Sequence, residues 1–198
     1  MMKTMVFVDF QNFSINMNKY YTTEKLEKPL IEYSKLSRML VKKVELDNAE
    51  LMKTFVFGYK PVQELLQLPQ YYKTYQWLTN LNKAPYIEVI EGEQVIRKRN
   101  KNTEININDP STYITEEKGT DINIAVNMIS KAYTNAYDIA ILVSGDTDYV
   151  PVIKQLHNLG KIVILATLPN QNISKYKGLY DQQIVISDEL LQQCKKEK

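Results

Sequence analysis

Residues 138–150 read DIAILVSGDTDYV. Ile139 to Val143 is apolar without alternation, the pattern of a strand buried on both faces. Ser144-Gly145 is a turn pair that ends the strand. Asp146 and Asp148 follow, with Thr147 between them, and a helical pattern starts near Tyr149. Carboxylates just beyond the carboxyl end of a buried strand stand at the mouth of an open α/β sheet, where such folds place their sites. Asp148 or Thr147 can also serve simply as the cap of the following helix. A second acidic strand end elsewhere in the chain favours a shared site over capping alone.

Downstream, Val152, Ile153, Leu156 and Leu159 give the next helix an apolar side, with Pro151 tolerable in its first turn and Gly160 ending it. Lys161–Thr167 (KIVILAT) is another buried strand, so the segment is a right-handed crossover unit. His157, the only histidine, lies away from the acidic end of its helix and reads as a surface or packing residue. Residues 173–180 suit a short helix and 183–186 an edge strand. Asp188 opens a polar helix that frays through the terminal KKEK, with Cys194 in that tail.

Upstream, Gly119-Thr120-Asp121 opens a helix with Ile122, Ala125, Val126, Ile129, Ala132 and Tyr133 at three- and four-residue spacing. Asp121 falls in its first turn, where the helix dipole favours negative charge. Asn123 and Asn127 share a face. The second acidic strand end is Thr4–Val8 followed by Asp9, with Asn12 three residues on. Asp9 either joins the site or satisfies local backbone N–H groups in a turn. Phe10 and Phe13 read as packing residues in a short helical or irregular stretch, and residues 19–29 as a surface loop. A helix over 33–43 and a strand over 52–59 follow. The helical region from Pro61 is kinked or divided at Pro69. Residues 85–89 suit a strand that Glu91-Gly92-Glu93 is placed to turn back, with 94–97 either extending it or pairing with it. Arg97, Lys98, Arg99 and Lys101 are the one tight basic cluster. They are either a solvated hairpin or loop, or a phosphate-contacting rim beside the acidic site. Residues 100–118 show little periodicity.

The 198 residues, 44% of them hydrophobic, suit one domain with a full core. One cysteine excludes an internal disulfide and suits a reducing compartment. No stretch is apolar enough to span a bilayer, and a cytoplasmic protein is expected. The net charge of +2 neither favours nor excludes nucleic acid. Fourteen tyrosines supply rings able to stack on bases.

Asp9, Asp121, Asp146 and Asp148 are the candidate catalytic and metal-ligating residues. With no cysteine–histidine cluster, zinc is disfavoured, and oxygen ligands suit Mg²⁺ or Mn²⁺. Carboxylates brought together without a cation repel and raise one another's pKa. A divalent cation relieves that repulsion and activates water for attack on a phosphoryl group. Lys118 stands close enough in sequence to neutralise a phosphate or orient a carboxylate, or it is a solvated surface residue.

Three segments, FVDFQNF (7–13), KGTDINIAVNM (118–128) and SGDTDYVPVIKQLHNLGKIV (144–163), resemble the NYN family of PIN-like metal-dependent nucleases. The resemblance implies a three-layer α/β/α domain over residues 1–198 with a mostly parallel sheet and acidic residues gathered at one end. The basic stretch becomes a loop or hairpin insertion at about 91–117, ahead of a short C-terminal tail. It also implies RNA as substrate, with DNA not excluded, and Mg²⁺ or Mn²⁺ as cofactor. Asp9 and Asn12 match the first-strand aspartate and its companion. Asp121 matches the acidic residue opening the central helix. Asp146 and Asp148 match the paired aspartates, with Ser144 in the supporting turn. Phe10 stands where the family often has glycine, and Asn127 where it commonly has an acidic residue, which favours a one-metal site. Asn127 can still hold a ligand or water. The expected function is a metal-dependent ribonuclease acting through activated water. The alternatives are an RNA-binding or regulatory protein with little turnover and a small-phosphate enzyme. A shared acidic site requires Thr4–Val8 and Ile139–Val143 to be neighbours at the centre of the sheet.

Overall fold

The structure, a computed structural model, describes residues 1–197. Its strands are β1 (Met2–Asp9), β2 (Ala49–Lys60), β3 (Ile87–Lys98), β4 (Tyr113–Lys118), β5 (Ile139–Val143), β6 (Ile162–Thr167) and β7 (Gln182–Val185). Its helices are α1 (Phe10–Glu24), α2 (Tyr33–Lys42), α3 (Pro69–Asn80), α4 (Thr120–Tyr133), α5 (Val150–Asn158) and α6 (Asp188–Gln193). The sheet order is β4-β3-β2-β1-β5-β6-β7. Every pairing is parallel except the β3–β4 hairpin at one edge. Thr4–Val8 pairs in register with Ile139–Val143, as a shared acidic site requires.

Alternation along β1 sorts the two cores. Val6 and Val8 join Phe13, Leu36, Leu78 and Leu191, from α1, α2, α3 and α6, on one face of the sheet. Phe7 points the other way and joins Phe55, Phe57, Ile124, Met128, Ile153 and Leu156, under α4 and α5. Each such side chain, fully buried, contributes roughly 1.5–3 kcal/mol. No helix among the described residues is long and apolar enough to cross a membrane.

Several local expectations change. The chain does not turn at Glu91–Glu93: β3 runs on for 12 residues, and residues 113–118 form a strand against it. Gly92 is what permits this. A Cβ there would lie 2.6 Å from the Lys118 carbonyl oxygen and from Thr120 Oγ1. The stretch after Asp9 is a 15-residue helix, so residues 19–24 are helical rather than loop. Pro69 does divide the third helical region, into a one-turn 3-10 helix (Leu65–Gln67) and α3. Residues 174–176 likewise form only one 3-10 turn.

Helix α4 is rotated from the expected face. Ile124, Met128 and Ala132 are buried, while Ile122, Val126 and Tyr133 are 68%, 57% and 78% exposed. Thr120 sets the rotation: its hydroxyl donates to the Gly58 carbonyl at 3.3 Å and turns residues 120, 124 and 128 inward together. The C-terminal segment is not a frayed tail. Leu190, Leu191 and Cys194 are buried, Glu32 N–H donates to the Cys194 carbonyl (2.9 Å), and Lys196 N–H donates to the Leu30 carbonyl (2.8 Å). It thereby anchors the loop between α1 and α2.

Phe7 stacks on Phe55 with ring centroids 5.5 Å apart and meets Tyr137 edge-on at 5.6 Å. Phe7→Ala is expected to cost roughly 3–5 kcal/mol, read as a lower urea midpoint with an unchanged slope.

Candidate functional site

At the carboxyl ends of β1 and β5, a cavity of about 350 Å³ is lined by Asp9, Asn12, Glu117, Asp121 and Asp146, with Lys118 at its edge. Asp9 is the last residue of β1 and the N-cap of α1, since its Oδ1 accepts from Asn12 N–H at 3.0 Å. The two roles weighed for it in the sequence thus coincide. Its Oδ2 accepts from Ser144 Oγ at 3.0 Å and Tyr149 Oη at 3.2 Å. Burial pushes its pKa up to about 6 against the effect of these hydrogen bonds.

The acidic turn is held from several sides. Ser144 Oγ accepts from Asp146 N–H (3.1 Å), and Asp146 Oδ1 accepts from Asp148 N–H (3.1 Å). Asp146, rather than Asp148 or Thr147, is therefore the cap of the 3-10 turn Thr147–Tyr149 that precedes α5. The Tyr176 hydroxyl donates to the Asp146 carbonyl. Asn12 Oδ1 accepts from Gly145 N–H (3.1 Å) and from the Gln171 side-chain amide (2.7 Å). A Cβ on residue 145 would lie 2.5 Å from that amide nitrogen, so a side chain there would push the Gln171 amide away from Asn12.

Tyr149 is fully buried, and its hydroxyl spans two carboxylates, reaching Asp121 Oδ1 at 2.9 Å as well as Asp9. One hydroxyl proton serves two acceptors. Burial, and then the Asp9 and Asp121 charges, push its pKa far above the ordinary phenol range. Glu117 enters from β4. Burial is the main cause of a pKa raised to about 7, with the Asp9 and Asp121 charges adding to it, and its Oε1 is buried without a hydrogen-bond partner.

Of the remaining sequence candidates, only Lys118 lines the cavity. Asp148 is exposed and does not line the cavity. Asn127 sits along α4, donating to the Asn123 carbonyl (2.9 Å) and accepting from Lys131 Nζ (2.8 Å). Lys118 Nζ is 3.7 Å from Glu116, which also pairs with Arg97 at 2.7 Å. Arg97 and Lys98 end β3, and Arg99 and Lys101 begin the turn beyond it, all exposed. Since β2 ends opposite Glu93, the hairpin carries this cluster roughly 17 Å past the mouth of the sheet, at about 3.3 Å per residue. Glu117, Tyr149 and Gln171 escaped the sequence reading. Only Tyr149, one turn after Asp146, carried a local signal.

The oxygen donors have the chemistry for Mg²⁺ or Mn²⁺, but their arrangement does not fit a ready metal centre. Among the described residues no three acidic, histidine or cysteine side chains are placed to share an ion. The Tyr149 hydroxyl bridges Asp9 and Asp121, and one Asp146 oxygen is engaged as a cap.

A parallel sheet between two helical layers, with carboxylates converging at the ends of its two central strands, defines a PIN-like α/β protein. Residues 3–185 match the NYN domain model, and the chain belongs to that family. Its fold is similar to a crystal structure of a protein of unknown function from Vibrio parahaemolyticus, at TM-score 0.59 and 19% identity over 96% of each chain. No curated protein matches.

Asp9 and Glu117 bind protons more tightly folded than unfolded, so their contribution to stability is greatest in acid. It is lost as pH rises from about 4 through 6–7. For Asp9 the shift amounts to about 3 kcal/mol. In chelator, Asp9→Asn is expected to be more stable than wild type at pH 8 and to flatten the pH dependence, measured by urea unfolding between pH 4.5 and 8.

Proposed function

We propose that this protein binds RNA at the carboxyl end of its sheet, with little or no hydrolysis in the arrangement described. The observation that carries this reading is the hydroxyl bridge: Tyr149 joins Asp9 to Asp121 where a nuclease of this architecture needs both free for a cation. RNA as partner is supported by membership of the NYN family and by the projecting basic arm. Lysine and arginine side chains on such an arm bind phosphates without reading sequence.

A second reading, metal-dependent hydrolysis of RNA by activated water, is favoured by one observation. Asp9, Glu117, Asp121 and Asp146 line one cavity, and two of them have raised pKa values. Incubating pure protein with labelled single-stranded and structured RNAs, with Mn²⁺, Mg²⁺ or chelator, separates the two. The expected outcome is a bound, intact RNA under every condition. Metal-dependent cleavage that disappears in Asp146→Asn would establish the nuclease instead.

Neutralising Arg97, Lys98, Arg99 and Lys101 together is expected to weaken RNA binding across sequences. It should also lower the slope of log affinity against log salt by roughly 0.7 for each single-strand phosphate that the arm no longer neutralises. Unchanged affinity at low salt would make the arm a solvated hairpin only.

A further inference from the structure

A second cavity, of about 340 Å³, lies on the opposite flank of α1 from the acidic one, within the size range of pockets that take small organic groups (roughly 300–1,000 Å³). Gln11, Asn12 and Ile15 face the acidic cavity, while Phe10, Phe13, Ser14 and Met17 line the second. At 100° per residue these sets fall on opposing sides of the helix. The second cavity is aromatic. Phe10 and Trp77, both half-buried, lie with ring centroids 5.4 Å apart and planes inclined by 35°. Tyr33 meets Trp77 edge-on at 5.6 Å and Phe13 at 6.2 Å, which fixes the floor.

Its rim is cationic. Lys28 and Lys73 are exposed there, and no carboxylate lines the cavity. Lys28 Nζ donates to Asn18 Oδ1, a neutral partner, at 2.5 Å. The loop carrying Lys28 is anchored by the backbone bond from Lys196 to Leu30 and the bridge between Ile31 and Lys195. The wall is therefore built into the fold.

Resting on the RNA-binding reading above, we propose that this cavity holds an unpaired nucleobase of single-stranded RNA, stacked on Phe10 and Trp77, with Lys28 and Lys73 on the flanking phosphates. Aromatic rings bind bases through their faces, which a duplex keeps covered and a single strand offers. A helix is about 10–12 Å across and a nucleic-acid strand advances at least about 3.4 Å per nucleotide. A strand seated here thus reaches the acidic cavity within about three nucleotides. Phe10 is the hinge of the arrangement, because it follows Asp9 directly and lines the aromatic side. It also lines a neighbouring cavity of about 190 Å³ with Tyr71 and Tyr75, next to the first along the same path.

Trp77 is the only tryptophan, so its emission reports on the cavities that it lines, and the Phe10→Leu variant assigns the change to this one, since Phe10 does not line the other. The test titrates the protein, in chelator so that strands stay intact, with a short labelled oligoadenylate and with an abasic oligonucleotide of equal length. Trp77 emission and label anisotropy are followed together. A saturable loss of emission with oligoadenylate but not with the abasic strand is expected. Phe10→Leu should weaken oligoadenylate binding roughly 5- to 150-fold, the range of one base–aromatic stack, and abasic binding far less. The double change Lys28→Ala and Lys73→Ala, at exposed positions that do not threaten the fold, should weaken both strands and reduce the salt dependence. Anisotropy showing binding without any change in Trp77 emission, or equal quenching by the abasic strand, overturns the base site and leaves the RNA-binding reading standing. No anisotropy change with either strand overturns both. Emission loss together with metal-dependent cleavage, when metal is restored, keeps the base site and replaces the reading of low turnover.

Discussion

The parallel pairing of Thr4–Val8 with Ile139–Val143 holds the acidic end of this protein together. It places Asp9, the last residue of β1, beside Ser144, the residue after β5, and their side chains bond at 3.0 Å. From that contact the order spreads in both directions. Ser144 receives the Asp146 amide, Asp146 receives the Asp148 amide, and Asn12 reaches across to the Gly145 amide and Gln171. An unpaired buried carboxylate would be costly. Asp9 is tolerated because one backbone and two side-chain donors converge on it. Even so, burial outweighs those bonds and its pKa stays raised.

The Tyr149 bridge follows from the same crowding. Two carboxylates at the ends of one cavity repel, and either a cation or a shared proton donor relieves them. A phenol does so without any ion, at the expense of its own acidity, since both neighbours oppose its ionisation. Glu117 enters from the hairpin with an unpartnered buried oxygen, and its burial first, then the Asp9 and Asp121 charges, raises its pKa to about 7. The phenol bridge and the raised proton affinities of Asp9 and Glu117 thus lessen the repulsion within the cluster as pH falls toward 6.

The central fold was legible because its signals are local. An unalternating apolar run, a turn pair and an acid can be recognised within ten residues, and they correctly located β1, β5, β6 and α5. What failed depends on distant partners. The strand β4 has no pattern of its own and exists because β3 offers it the edge opposite β2, with Gly92 small enough for the return. Glu117 was invisible for the same reason. Helix α4 carries two overlapping apolar stripes, Ile122–Val126–Tyr133 and Ile124–Met128–Ala132, and spacing alone does not choose between them. The hydrogen bond from Thr120 to Gly58, 62 positions away, makes that choice. The polar look of the C-terminus likewise concealed Leu190, Leu191 and Cys194, whose burial is set by the loop they hold.

Charge then constrains how a polyanion approaches. The cavity between α1 and α4 is lined by carboxylates, so in the absence of a cation it repels phosphate. The exposed Lys28 and Lys73 stand across α1, and the Arg97–Lys101 cluster stands out on the hairpin arm. On the proposed binding mode, a strand leaving the aromatic cavity meets Phe10 at the α1 N-terminus, because that ring lines the neighbouring cavity as well. Glycine at position 10 would leave that N-terminus bare, whereas phenylalanine covers it with a ring already positioned against Trp77. On the proposed base site, the side chain that stands where the resembled family often has glycine is therefore the one that supplies a stacking ring.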